Sequence, residues 1–117
     1  MQIKIAKAKP YQIDYLIAKI KYPKGQIGSD GWIKNSDGNS FQCPDYCHDW
    51  EKTMKLAKEK GLLIDCARSS EGYYRVIHKA VDNTEFVSVG KNIIRTILRC
   101  YIMAELKSET AEIEVAV

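Results

Sequence analysis

The stretch Gly90-Lys91-Asn92-Ile93-Ile94-Arg95-Thr96-Ile97-Leu98-Arg99-Cys100-Tyr101-Ile102 decides the fold. Ile93, Ile94, Ile97, Leu98, Tyr101 and Ile102 recur at helical spacing and give one wide apolar face. Asn92, just before them, carries a side-chain oxygen suited to capping a first turn. A helix with so broad an apolar face has to be covered, and the rest of the chain is expected to supply the cover.

Immediately upstream the pattern changes from helical to alternating. Leu62 to Ala67 is a compact apolar run, and Ser69-Ser70-Glu71-Gly72 reads as a hairpin turn. From Tyr73 to Ala80 the residues alternate, with Tyr74, Val76, His78 and Ala80 on one face and Tyr73, Arg75, Ile77 and Lys79 on the other. Asp82-Asn83 predicts a two-residue turn, and Glu85 to Val89 the returning strand. These three segments predict an antiparallel meander.

Further upstream lies a helix over Trp50, Met54 and Ala57, with Asp45 or His48 as its expected cap and Gly61 as its stop. Residues 24–44 hold Gly25, Gly28, Gly31 and Gly38 among Asn, Ser and Asp, and predict a long loop. Before it, Ile13, Leu16, Ile17 and Ile20 form the stripe of another helix, started by Pro10 and ended by Pro23 and Gly25. Ile3 and Ile5, and at the other end Ile113, Val115 and Val117, suggest short edge strands. The expected fold class is α+β. A small antiparallel sheet of about three to four strands packs with about three helices in a layered sandwich, as one domain over residues 1–117.

The net charge of +3 is too small to mark a nucleic-acid binder by itself. Lys4, Lys7, Lys9, Lys19, Lys21 and Lys24 do load the first part, which keeps nucleic acid as a third possibility. No apolar run reaches the length of a membrane span, and Met1-Gln2-Ile3-Lys4-Ile5 lacks the apolar core of a signal peptide. A cytoplasmic location is therefore expected, with the four cysteines reduced.

Three segments carry a resemblance to a known family. Ile13-Asp14-Tyr15-Leu16-Ile17-Ala18 resembles the opening Leu-Asp-Tyr/Trp-Leu-Val-Ala helix of phage NinX-type proteins, related to the phage α/β/α-sandwich domain. Tyr46-Cys47-His48-Asp49-Trp50 resembles that family's Tyr-Ser-Thr-Asp-Trp, and Gly90 to Tyr101 its closing Gly-Pro-Thr-Pro…Met-Arg-Cys-Tyr/Phe-Val segment. Lys91 stands where that pattern has proline and Asn92 where it has the capping threonine. The resemblance implies a phage or prophage accessory protein acting inside a bacterium. It transfers no catalytic residue.

Cys43, Cys47 and His48, completed by Cys66 or His78, invite a zinc reading, but their spacing matches no standard site and neither metal nor cofactor is expected. Cys43 or Cys47 as a nucleophile would need a base and an oxyanion donor that no motif supplies, so no enzyme is expected. The leading expectation is a non-enzymatic protein that binds and modulates a host bacterial protein as an inhibitor of a defence system. Trp32, Phe41, Tyr46 and Asp49 are the candidate partner contacts. The alternative is an oligomer that sequesters a small nucleotide or other anion through Tyr73, Tyr74, Arg75, Arg95 and Arg99. The wide face of the last helix also leaves room for a homodimer.

Overall fold

The computed structural model describes residues 2–23, 25–27, 32–34, 40–42, 45–65 and 72–113, and at 26, 27, 32 and 40–42 the backbone alone. In chain order the elements are β1 (Gln2–Lys4), α1 (Pro10–Lys21), β2 (Gln26–Ile27), β3 (Trp32–Lys34), β4 (Ser40–Gln42) and α2 (Trp50–Lys60). Then follow β5 (Leu63–Asp65), β6 (Tyr74–Lys79), β7 (Glu85–Gly90), α3 (Ile93–Leu106) and β8 (Thr110–Glu112). Three helices and small antiparallel sheets make an α+β fold, as the sequence predicts. The strands are divided among three sheets: β1 with β8, β2-β3-β4, and β5-β6-β7.

α3 is the central element. It packs on β6 and β7 and also on α1 and α2. Thr96, Ile97, Leu98, Cys100, Tyr101, Ile102, Met103 and Ala104 are all buried in it. The chain therefore covers most of this face itself. Each large aliphatic side chain so buried stabilises the fold by about 1.5–3 kcal/mol. Asn92 caps the helix, its Oδ1 accepting from the Arg95 N–H at 3.0 Å. Lys107 ends it in the left-handed conformation, φ 53°.

α1 starts as expected. Pro10 occupies the first turn, where its missing N–H costs nothing, and Gln12 Oε1 accepts from the Lys9 N–H at 2.9 Å. Ile13, Leu16 and Ile17 join Leu98, Tyr101 and Ile102 of α3 in the main core. The edge-strand expectation for Ile3 holds, since β1 pairs with β8 in the register Ile3↔Ala111. Ile5 lies past the strand in a 3-10 turn and is fully buried.

α2 departs from the reading in two ways. Neither Asp45 nor His48 caps it, because a 3-10 turn over Tyr46–His48 intervenes. Asp49 is the cap, with Oδ1 accepting from the Lys52 N–H at 3.0 Å, while Asp45 and His48 pair with each other at 2.8 Å. Trp50 does not fill the core: it opens the helix 49% exposed, and the buried residues are Thr53, Leu56 and Ala57. Gly61 stops the helix at φ 71°, as predicted.

The long loop is also corrected. It contains β2, β3 and β4, paired Ile27↔Ile33 and Ile33↔Phe41. The meander is as read, with β6 between β5 and β7. Its second turn has three residues, 81–83, and not two. Ala80 N–H donates to Thr84 O at 2.8 Å and Asn83 N–H to Ala80 O at 3.0 Å, with only Asn83 at positive φ (68°). A two-residue turn of the commonest kind needs positive φ at both central positions, and Asp82 does not take it. The first turn, 69–72, lies outside the described residues except for Gly72, at φ 82°.

Candidate functional site

β6 begins and β7 ends beside the first turns of α3, and several polar residues meet there. Tyr74 of β6 pairs in register with Gly90 of β7. Gly90 is glycine for a steric reason: a Cβ there would lie 2.7 Å from Thr96 Oγ1 and 3.6 Å from an Nη of Arg99. Thr96 Oγ1 itself donates to Asn92 O at 2.7 Å. The missing side chain thus lets α3 sit against the strand end and leaves the Arg99 guanidinium next to it.

Arg99 bridges this corner to the start of α1. Its Nε and Nη2 both donate to Ala8 O, at 3.1 and 2.6 Å. Burial, and then the charge of Arg95, lower its pKa. Arg95 lies one turn earlier on α3. Its Nε is buried and has no hydrogen-bond partner among the described residues. The seam thus holds two guanidiniums, one of them short of an acceptor.

The opposite wall comes from α1 and the 3-10 turn. Cys47 is buried, and its Sγ donates to Pro10 O at 3.6 Å. Burial, with the Asp14 carboxylate beside it, pushes the Cys47 thiol up to about 12, and Arg95 offsets this only in part. Asp14 is itself held above the ordinary carboxylate value, first by burial and then by Asp45, against hydrogen bonds from Cys47. Cys100, on α3, is pushed up to about 12 by burial and donates to Phe86 O at 3.5 Å. Neither thiol is poised as a nucleophile at neutral pH.

The sequence candidates separate into groups. Tyr74, Arg95 and Arg99 share the corner just described. Tyr73 stands next to it, 40% exposed, with Lys91 Nζ 5.3 Å from its ring centroid. Arg75 does not join them: it points to the other sheet face and pairs with Asp65 at 2.8 Å. Tyr46 is half-buried against the main core and its carbonyl accepts from Thr53 Oγ1 at 3.0 Å, so much of it serves the fold. Asp49 is spent largely on capping α2. Trp32 and Phe41 lie on adjacent strands of the β2-β3-β4 sheet, and their side chains fall outside the described residues.

The zinc reading draws on Cys43 and Cys66, which fall outside the described residues. His48 faces Asp45 on the surface. His78 has a lowered pKa, from burial and then Lys60, with Nδ1 buried and without a hydrogen-bond partner among the described residues. Among the described residues no three His, Cys, Asp or Glu side chains group as a metal site. The sequence reading missed Gly90, Lys91 and Asp14 as parts of the corner. Only Asp14 carried a signal, as a carboxylate set between the apolar stripe residues of α1.

Among solved structures the chain is similar to a phage protein from Bacillus cereus ATCC 14579, with a TM-score of 0.65 over 87% of this chain and 91% of that one. Identity is 17%, so the likeness is one of fold. No protein-family model matches the chain, and no curated protein sequence does. The NinX-type resemblance therefore stands on the three quoted segments alone. No helix among the described residues is long and apolar enough to cross a membrane.

Proposed function

We propose that this domain works by binding a small anionic, phosphate-bearing ligand at the Arg95–Arg99 seam, without chemical conversion. The observation that carries this reading is the buried Arg95 Nε without an acceptor, beside a second guanidinium whose charge is already disfavoured. A bound phosphate would supply the missing acceptor and offset both charges. Tyr74 at the corner, and Tyr73 with Lys91 at its rim, provide aromatic faces against which a base can stack. The high thiol pKa values speak against cysteine chemistry here.

The setting we propose is that of a phage or prophage accessory protein in the bacterial cytoplasm, supported by the shared fold with a phage protein. Holding a nucleotide signal would blunt a host defence response that depends on it. The test is thermal unfolding against a panel of mono- and dinucleotides and inorganic polyphosphate. A phosphate-bearing compound should raise the melting temperature in proportion to the logarithm of its concentration, and Arg95→Ala should abolish the rise. No response across the panel, or an undiminished one in Arg95→Ala, refutes the reading.

A second reading, the modulation of a host protein, is favoured by one observation. Leu63, Ile77 and Val87 face each other across the three strands of the meander, with Val89 beside them. Leu63 is 65% and Val87 43% exposed, which makes an apolar row on the open sheet face. Val87→Lys should then abolish capture of that protein without loss of fold.

A further inference from the structure

Tyr73 and Tyr74 adjoin in the chain but serve opposite surfaces, because successive side chains of a strand point to opposite faces of its sheet. Val76 lies on the face packed against α3, in the cluster with Ile97 and Cys100. Tyr74, two residues earlier, shares that face and stands at its end, paired with Gly90 beside the arginine seam. One step past this pair the register sets Tyr73 against Lys91 on the reverse face. Lys91 Nζ accordingly lies 5.3 Å from the Tyr73 ring centroid, and Tyr73 is 40% exposed. α3 starts where the two faces meet. Lys91 and Asn92 lead from β7 into it, and Arg95, whose buried Nε has no acceptor among the described residues, lies in its first turn. Side chains of a helix lean toward its N-terminus, so Arg95 leans back toward this crossing. Positive charge thus runs from Lys91 on the Tyr73 face, round the end of the sheet, to Arg95 on the Tyr74 face.

We infer that the ligand of the seam is a dinucleotide: two nucleobases joined through phosphate, one base against each tyrosine, with the link passing over Lys91 and Asn92 to Arg95. The inference rests on the reading of the seam as an anion site and narrows its occupant. A single base cannot meet both rings, because the strand backbone lies between them. A mononucleotide held at Arg95 leaves Tyr73 and Lys91 unused. The second base takes up the Tyr73 ring, and stacking there tolerates any base, since every base has a π face. Lys91, between that ring and the start of α3, answers the charge of the linking phosphate.

The test is calorimetric titration with 5′-phosphorylated diadenylate and with its half, adenosine monophosphate. Diadenylate should bind more tightly than the monophosphate by roughly tenfold or more. Tyr73→Leu should remove that advantage and leave the affinity for the monophosphate unchanged, which also shows that the variant is folded. Tyr74→Leu should weaken both ligands, and Arg95→Ala should abolish the binding of both. If diadenylate binds no better than the monophosphate, or if Tyr73→Leu weakens both alike or neither, the inference is overturned while the seam remains an anion site. If neither compound binds the wild type, the inference falls, and the response to inorganic polyphosphate decides the seam separately. It is equally overturned if a dodecameric oligoadenylate binds far more tightly than diadenylate, with an affinity that falls steeply with salt, since a polymer would then be the ligand.

Discussion

Single side chains here have roles that residue type alone does not assign. Arg99 reads as a ligand contact in the sequence, yet its Nε and Nη2 both bond Ala8 O, 91 residues away along the chain. Arg99→Ala should lower the unfolding free energy by about 2 kcal/mol, the scale of charged hydrogen bonds, with Arg95→Ala costing clearly less in urea titrations. Cys47 and Cys100 have thiols pushed up to about 12 and buried side chains. Iodoacetamide should leave both unmodified in the native protein at about pH 7.5 and label both in denaturant, as peptide mass mapping would show. Asp14 gives a pH signature. Burial holds its carboxyl above the ordinary value, so the native state keeps the proton to higher pH than the unfolded chain does. That contribution to stability is whole below the ordinary carboxylate range and is lost as pH rises through the raised folded value. Asp14→Asn cannot lose it. The variant should therefore gain on the wild type between about pH 3.5 and pH 7, and a gap that shrinks over this interval would contradict the assignment.

At the scale of elements, legibility tracks how much of each element's cover is local. α1 and α3 were plain, because long apolar stripes and terminal signals agree: Pro10 opens one helix and Asn92 caps the other. α2 was placed correctly, but its cap and first buried residue were not, since a 3-10 turn over Tyr46–His48 shifts the start to Trp50. β2, β3 and β4 were hidden, being two or three residues long and set among Gly, Ser and Asn, so no alternation could build up. The same limit applies to the site. The pairing of Arg95 with Arg99 follows from helical spacing, whereas the register Tyr74↔Gly90 and the Arg75–Asp65 pair are cross-strand facts. The junction of β7 with α3 gives a direct test of this packing. Gly90→Ala places a Cβ 2.7 Å from Thr96 Oγ1, so the variant should be destabilised although no positive φ is involved. If contact is the cause, the penalty should shrink in a Thr96→Ala background; an additive double-mutant cycle would rule it out. Asn92→Ala should cost about 1 kcal/mol through the lost cap.

Across the whole molecule, α3 ties together two buried clusters. One contains Ile5, Ile13, Leu16, Ile17, Leu98, Tyr101 and Ile102, joining both terminal regions to α1 and α3. The other contains Ala57, Val76, Ile97 and Cys100, joining α2 and the meander to the same helix, while Leu56 of α2 and Phe86 of β7 belong to the first. Two clusters that share one helix cannot lose their packing independently, because freeing either side strips α3 of the burial that holds it helical. Ile97 and Ile102 are each fully buried, one in each cluster, and both sit on α3. Ile97→Ala and Ile102→Ala should each cost about 2–5 kcal/mol, the range for truncating a large core aliphatic side chain. More tellingly, both variants should still unfold in one transition, with far-UV and near-UV circular dichroism coinciding along the urea axis. If Ile97→Ala melted the meander first, with the terminal cluster persisting, the clusters would be separate units. The arginine seam is bounded by Gly90 and Tyr74 of the meander on one side and by Ala8 and Cys47 of the first cluster on the other. Ligand at the seam should therefore raise the single transition as a whole, whereas separate units would respond in two unequal steps.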